Sequence, residues 1–259
     1  MRICLLASGS RGNALYIESA ESRILIDAGL SARELARRLE GIGVRGEDLD
    51  ALLVTHEHTD HCQGVGPLSR RYDLPVYLHH ETRRALPTLG RISECIEFSS
   101  GDVFDFNELR ITTFPITHDA VAPVGYTIET PTGKIGVATD LGIATRLVCE
   151  RLKGCRVLVL ESNHDEDLLR DGPYPWPLKQ RIRGNHGHLS NLASGELLRS
   201  LISDQLEAVF LAHLSEENNR PELALRSARE ALENQNFCCP HLVVGRQNQA
   251  TVCFDTKFS

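Results

Sequence analysis

The stretch ALLVTHEHTDHCQG, residues 51–64, decides how this chain is read. It opens on a short apolar run that ends at Thr55, the pattern of a buried strand. His56, His58, Asp60 and His61 then follow in the form H-x-H-x-D-H-x-x-G. An extended segment leaving a strand projects His56 and His58 to one side. Asp60 and His61 face a neighbouring point as the chain turns toward a helix. Imidazole and carboxylate donors suit zinc, manganese or iron, and four donors so close together can serve two ions. The plain alternative is a polar loop with incidental histidines, but such a run after a strand has little packing rationale.

Outward from this loop the chain alternates strands and helices. RICLLA, NALYIES and RILIDAG precede it as predicted strands. LPVYL, ELRITTFPI, VGYTIET, KIGVATD, VLVLES, LEAVFLAH, LVVG and QATVCFD follow it, with TPTGK as a hairpin turn. SARELARRLEGIG reads as a helix, with Ser31 and Glu34 as a capping box and Gly41 near its end. Further helices are predicted over 143–153, 190–203 and 220–234. This order suits two packed sheets flanked by helices, read as one domain over 1–259 with an irregular insert near 170–191. Pro173, Pro175 and Pro177 argue against a regular helix in that insert. Loops this long are more often functional than idle.

Composition narrows the classes. Of 259 residues, 41% are hydrophobic and 24% charged, as in ordinary globular chains. No apolar run approaches the roughly 18 residues of a membrane span. ICLLA near the start is too short for a secretory core, so a cytoplasmic protein is expected. The net charge of −7 argues against a dedicated duplex-binding domain, though not against an enzyme with a local basic groove. The eight cysteines form no C-x-x-C pattern; most are expected to be buried small apolar residues.

Four outlying residues sit at the ends of predicted strands: Asp27 in LIDAG, His118 in PITHDA, Asp140 in VATDLG and His213 in FLAHLS. Each alone has an ordinary reading: turn chemistry for Asp27, a surface histidine for His118, a helix cap for Asp140, a core histidine for His213. Their order after strands raises them together, and with the histidine loop the chain resembles the metallo-β-lactamase fold superfamily. The resemblance implies an α+β fold, a four-layer αββα sandwich of two mixed β-sheets. It implies one metal held by His56, His58 and His118, another by Asp60, His61 and His213, and Asp140 bridging both. Asp27 then lies behind the ligands and holds the histidine loop by hydrogen bonds.

The stretch GNHGHLSN, residues 184–191, fits the same picture. GHLS resembles a motif of transfer-RNA-processing phosphodiesterases in the superfamily, where a histidine beside the metals assists the leaving oxygen. The match points to His188 and leaves His186 an ordinary loop residue. PYPWPLKQRI, ASGSRGNA and HLSEENN resemble the WalJ/YycJ subgroup, regarded as DNase-like with 5′-to-3′ exonuclease behaviour in some members. The resemblance therefore implies two divalent ions (Zn²⁺ or Mn²⁺, with iron possible), a metal-bridging hydroxide as nucleophile, and Asp60 and His188 as catalytic residues. A nucleic-acid substrate, single-stranded or a DNA end, follows; a homo-oligomer is compatible with it. Lys179, Arg181 and Arg183 are candidate backbone contacts. Ser190 or Asn191 caps a helix whose N-terminus favours phosphate. Trp176 either stacks a base or anchors the insert in the core. SGSRGN is a turn that can also bring Ser8, Ser10 and Asn13 near the site.

Three other activities remain open from sequence. A small-molecule phosphodiesterase, or a thioester or lactone hydrolase, can use the same site. A di-iron oxidoreductase is disfavoured by His58, where carboxylate-rich versions usually carry an acid, and by the lack of room for a flavin partner domain. A non-enzymatic metal-binding module is disfavoured by the complete ligand set.

Overall fold

The computed structural model describes residues 1–256; the last three residues of the expected 1–259 domain lie outside them. Six strands open the chain: β1 (Arg2–Ala7), β2 (Ala14–Glu18), β3 (Arg23–Ile26), β4 (Ala51–Leu53), β5 (Pro75–His79) and β6 (Glu94–Phe98). Seven more follow: β7 (Val103–Phe106), β8 (Leu109–Pro115), β9 (Val124–Thr130), β10 (Gly133–Ala138), β11 (Val157–Glu161), β12 (Ala208–Ala212) and β13 (His241–Val244). A short β14 (Phe254–Asp255) returns to β1. The two sheets run β14-β1-β2-β3-β4-β5-β6 and β13-β12-β11-β10-β9-β8-β7.

The sheets share one plan. Each begins as an antiparallel meander, β1-β2-β3 in one and β7-β8-β9-β10 in the other. Each then adds three parallel strands, β4-β5-β6 and β11-β12-β13. Parallel strands covered on both faces should be continuously apolar, and β4 and β12 are buried at every position. β11 is also wholly buried, yet ends on a charged residue, Glu161.

The helices are α1 (Ala32–Gly41), α2 (Thr59–Cys62), α3 (Val65–Tyr72), α4 (His80–Ala85), α5 (Arg146–Leu152), α6 (Glu166–Asp171), α7 (Trp176–Arg183), α8 (Asn191–Leu201) and α9 (Pro221–Ala231). Strand alternation sorts the core into three layers. Ile3, Leu5, Ile24 and Ile26 meet Tyr126, Val137, Val159 and Phe210 between the sheets. Cys4, Leu6 and Leu25 face Leu35, Leu39 and Leu68 of α1 and α3. Phe114, Leu158 and Val209 face Val148, Leu198 and Ala228 of α5, α8 and α9. The result is the four-layer αββα sandwich. No helix among the described residues is long and apolar enough to cross a membrane.

Several local expectations change. Ser31 caps α1 by accepting from the Glu34 amide, but Glu34 turns to Arg37 and Arg38 rather than completing a capping box. Gly43, at φ 78°, makes the left-handed stop two residues past Gly41. The insert contains a helix after all: Pro175 is the N-cap of α7 and Pro177 lies in its first turn, where a missing N–H costs no hydrogen bond. QATVCFD pairs only at Phe254–Asp255. Among the described residues Cys4, Cys62 and Cys155 are the buried cysteines, so most are not core residues, and all eight are free thiols.

Candidate metal centre and active site

The parallel strands and the meander strands release their chains at one edge of the sandwich, and the candidate residues sit there. Asp27 follows β3, His118 follows β8, Asp140 follows β10 and His213 follows β12. Asp27, Asp140 and His213 all adopt positive φ, at 60°, 55° and 56°. Non-glycine residues rarely sit there, and such backbone persists only where surrounding contacts impose it.

The histidine loop forms as the spacing predicts. His58 is extended and caps α2, so His56 and His58 project together before the helix turns Asp60 and His61 inward. Two backbone bonds fix the loop: the Asn13 N–H donates to the Asp60 carbonyl at 2.8 Å and the Ala28 N–H to that of His61 at 2.7 Å. Asp27 is buried behind it. It accepts from the Thr55 amide and hydroxyl, both at 2.8 Å, and its Oδ2 lies 2.7 Å from His61 Nδ1. That contact fixes the His61 ring, leaving Nε2 to face Asp140 Oδ2 at 3.1 Å and Asp60 Oδ2 at 3.5 Å.

On the other side His213 is held in the same way. Its Nδ1 lies 3.0 Å from Glu161 Oε1, and its backbone N–H donates to Ser8 Oγ at 2.6 Å. His118 Nδ1 donates to the Gly187 carbonyl at 3.2 Å. Its Nε2 then lies 3.4 Å from His58 Nδ1, which in turn lies 3.0 Å from His56 Nε2. Among the described residues four groupings of close donor atoms result: His56, His58 and His118; Asp60, His61 and His213; His56, His61 and Asp140; and Asp140, Glu161, His188 and His213.

The electrostatics are those of a site built for cations. Burial drives His56 far below the usual imidazole range. Burial acts the same way on His61 and His213, but neighbouring carboxylates outweigh it. Asp140 and Asp27 raise His61, and Asp140, Asp60 and Glu161 raise His213 to about 10. Burial pushes the Asp60 and Asp140 carboxyls up, and the histidines around them hold both well below the usual carboxylate range. Asp140 Oδ2 and His213 Nε2 are buried without a contact of hydrogen-bond geometry; their nearest charged neighbours are His61 Nε2 at 3.1 Å and Asp60 Oδ2 at 3.7 Å. A buried polar atom left unpaired costs roughly 1–3 kcal/mol, and three imidazole nitrogens facing one another have no mutual reason to meet. Divalent cations fit this donor set and satisfy both features.

His188 faces the same cavity. Its Nδ1 lies 2.7 Å from Glu161 Oε1, so one carboxylate holds both His188 and His213. Glu161 is fully buried; its other oxygen accepts from the Leu141 and Leu189 amides. Glu161 went unnoticed in the sequence. The available signal was a carboxylate ending a wholly apolar strand, where a charge needs partners. Asn13 and Ser8 also belong to the site rather than only to a turn. Asn13 Nδ2 lies 3.0 Å from His61 Nε2, and Ser10 lines the cavity.

The expected substrate contacts divide. Arg181 lines the cavity and pairs with Asp119 at 2.8 Å, and Arg183 is exposed. Lys179, Ser190 and Asn191 are turned inward instead. Lys179 Nζ is buried and donates to the Arg170 and Gly172 carbonyls. Ser190 caps α8 and donates to Glu166, while Asn191 joins Ser162 and Asn219 in a buried network. Those three anchor structure because their polar groups are already satisfied. Trp176 is 59% exposed, which excludes the core-anchor reading. His186 is exposed at the cavity lining.

Known proteins share this fold and family. Residues 22–213 match the model of the beta-lactamase superfamily domain. The chain is 38% identical to exodeoxyribonuclease YycJ of Bacillus anthracis, over 92% of its own length and 91% of the relative's. It is 38% identical to exodeoxyribonuclease WalJ of Streptococcus pneumoniae, over 85% and 84%. In structure it resembles the metallo-beta-lactamase fold protein YhfI of Bacillus subtilis, with a TM-score of 0.77, 16% identity, and coverage of 98% and 99%.

Proposed function

This chain belongs to the beta-lactamase superfamily, and from that membership we propose that it is a dinuclear-metal nuclease that removes nucleotides from the end of a DNA strand. The family makes it a metal-dependent hydrolase, and the names of two relatives that span most of the chain support DNA as substrate. His56, His58 and His118 would hold one ion and Asp60, His61 and His213 the other, with Asp140 between them. Two divalent ions, Zn²⁺ or Mn²⁺ with iron as a third option, would supply Lewis acidity at the phosphoryl oxygens and a nucleophile derived from water.

The observation that carries phosphodiester over thioester hydrolysis is the His188–Glu161 pair beside the ligands; the names of the two relatives, not this pair, favour it over lactone hydrolysis. A sugar alkoxide is a poor leaving group and needs a proton as it departs; a thiolate does not. Glu161 fixes His188 through Nδ1 at 2.7 Å. Nε2 is left as the proton-carrying atom that faces the cavity. Glu161, buried and charged, also stabilises the imidazolium that precedes the transfer. Arg181 at the rim can leave Asp119 for a phosphate, since an exposed pair of this kind is worth only about 0–1 kcal/mol.

The test is hydrolysis of a 5′-phosphorylated, 3′-labelled single strand by protein loaded with Mn²⁺ or Zn²⁺, beside His58→Ala and a bis-p-nitrophenyl phosphate assay. Metal-dependent release of mononucleotides, absent in His58→Ala, is the expected result. His188→Ala should lower kcat on DNA by roughly 10²–10⁴-fold with metal content intact, and should lower it less on the p-nitrophenyl ester, whose leaving group needs no acid. Silence on both phosphodiesters would transfer the assignment to thioesters or lactones.

A further inference from the structure

The cavity has one wall unlike the others. Most of its lining is ionisable, yet Tyr174, Leu178 and Ile182 also line it. They recur every fourth residue, along one face of α7 and the residue two before it. A surface helix normally buries its apolar stripe and shows charge to water. α7 does the reverse. Its one buried side chain is Lys179, whose ammonium is tied to two carbonyls, while its apolar stripe is only half-buried and looks into the cavity.

This wall is fixed in place. The His188 N–H donates to the Ile182 carbonyl at 2.9 Å. A Cβ at Gly187 would lie 2.1 Å from that same carbonyl oxygen, so the glycine lets the His188 loop close against α7. On the loop's other side a Cβ at Gly142 would lie 2.2 Å from the Asn185 carbonyl oxygen. The apolar stripe is thereby locked to His188 and to the turn that carries Asp140. The cavity itself holds about 270 Å³, at the small end of the roughly 300–1,000 Å³ of small-molecule sites. That volume suits one nucleotide and is far too small for a duplex.

We infer that Tyr174, Leu178 and Ile182 form the seat of the nucleobase at the end of a single strand, beside the phosphate to be cleaved. The inference rests on the nuclease reading and specifies its substrate. Leu178 and Ile182 offer no group that reads a base edge, and an aromatic ring meets the face that every base possesses. The seat is therefore indifferent to base identity and selects for an unpaired terminal nucleotide. Arg181, on the same helix, supplies charge at the rim.

The test uses the metal-loaded full chain and two single strands, one ordinary and one with an abasic tetrahydrofuran unit as its terminal nucleotide at the end the enzyme degrades. The wild type should lose roughly 5- to 100-fold in kcat/KM at the abasic end, the range set by base–aromatic stacking. Tyr174→Ala should lose a similar factor on the ordinary strand and then be nearly insensitive to the missing base. Tyr174→Phe should keep both the rate and the sensitivity, which separates loss of the ring from loss of fold. Equal wild-type rates on the two strands, with nuclease activity intact, would overturn the base seat alone. No nucleotide release from any strand would overturn the nuclease reading and the seat with it.

Discussion

The turn after β3, Asp27–Ala28–Gly29, and the turn after β10, Asp140–Leu141–Gly142, are built alike and used differently. Each stands where an antiparallel meander gives way to parallel strands. Each aspartate has positive φ. Each glycine is pressed against backbone: a Cβ would lie 1.6 Å from the Asp60 carbonyl oxygen at Gly29, and 2.2 Å from that of Asn185 at Gly142. Each turn leads to a helix capped by a hydroxyl, Ser31 for α1 and Thr145 for α5. The difference lies in where the carboxylates are satisfied. Asp27 spends both oxygens on Thr55 and His61. Asp140 has no such set of donors: its Oδ2 is buried with His61 Nε2 3.1 Å away and no contact of hydrogen-bond geometry. In the first half the turn supports and the loop after β4 offers ligands. In the second the turn offers the ligand and the end of β11, Glu161, supports. The fold provides two equivalent edges, and the pattern of hydrogen-bond donors decides which acid is free for a cation.

Substituting the three acids would break this division most sharply. Asp140→Ala should abolish both bound metal and activity, beyond the roughly 10–100-fold that losing an outer partner costs. Asp27→Asn and Glu161→Gln should each fall within that range, but in different parameters. Asp27→Asn loosens His61 and, through Thr55, His56, but not His188, so excess metal should restore kcat. Glu161→Gln loosens His213 and His188 together, so kcat should stay low at saturating metal. Metal content and kcat titrated against metal concentration separate the cases. Identical responses of the two variants would mean that the halves are not divided as described.

The two glycines give a smaller contrast. Gly29→Ala pushes on Asp60 and should reduce metal affinity. Gly142→Ala pushes on the loop before His188 and should reduce kcat with metal retained. Overpacking of this kind costs roughly 1–3 kcal/mol of stability, and the tighter site, Gly29, should show the larger fall in Tm. Thermal melts with metal analysis on both variants check the order.

The sequence made the first half more legible than the second. The ligands of the histidine loop lie within one short segment and announce themselves by spacing, as did the strand that precedes them. Asp27, His118, Asp140 and His213 were readable only as an ordered set, because a lone acid or histidine after a strand has many ordinary uses. Glu161 was missed because its partners, His188 and His213, lie 27 and 52 positions away, and no local pattern records such a contact. Lys179 was misread for the related reason that its partners are backbone carbonyls, which every residue carries. The α7 helix was hidden by its prolines: Pro175 and Pro177 break a helix interior but begin one equally well, and only tertiary packing shows which role applies.

The smallest contrast between the halves is in pH. In the metal-free protein each half holds one histidine above its ordinary range, His61 through Asp140 and Asp27, and His213 through Asp140, Asp60 and Glu161. A histidine raised on folding contributes stability that is complete below its unfolded value of about 6.5. That contribution is lost as pH rises through the folded value, about 10 for His213. With chelator present, Tm should therefore fall from pH 6.5 toward 10. Metal ligation requires neutral imidazole, so ions displace these protons and bind more tightly as pH rises. The fall should vanish when metal is present. Asp27→Asn removes the support of His61 and leaves His213 untouched, so it should flatten the metal-free slope without abolishing it. Glu161→Gln should flatten it from the other side. Melts across this pH range, with chelator and with Mn²⁺ or Zn²⁺, measure the three slopes. A metal-free protein whose Tm holds steady to pH 10 would mean that the acids of the two halves do not hold His61 and His213 protonated, and that the turns differ in geometry but not in charge.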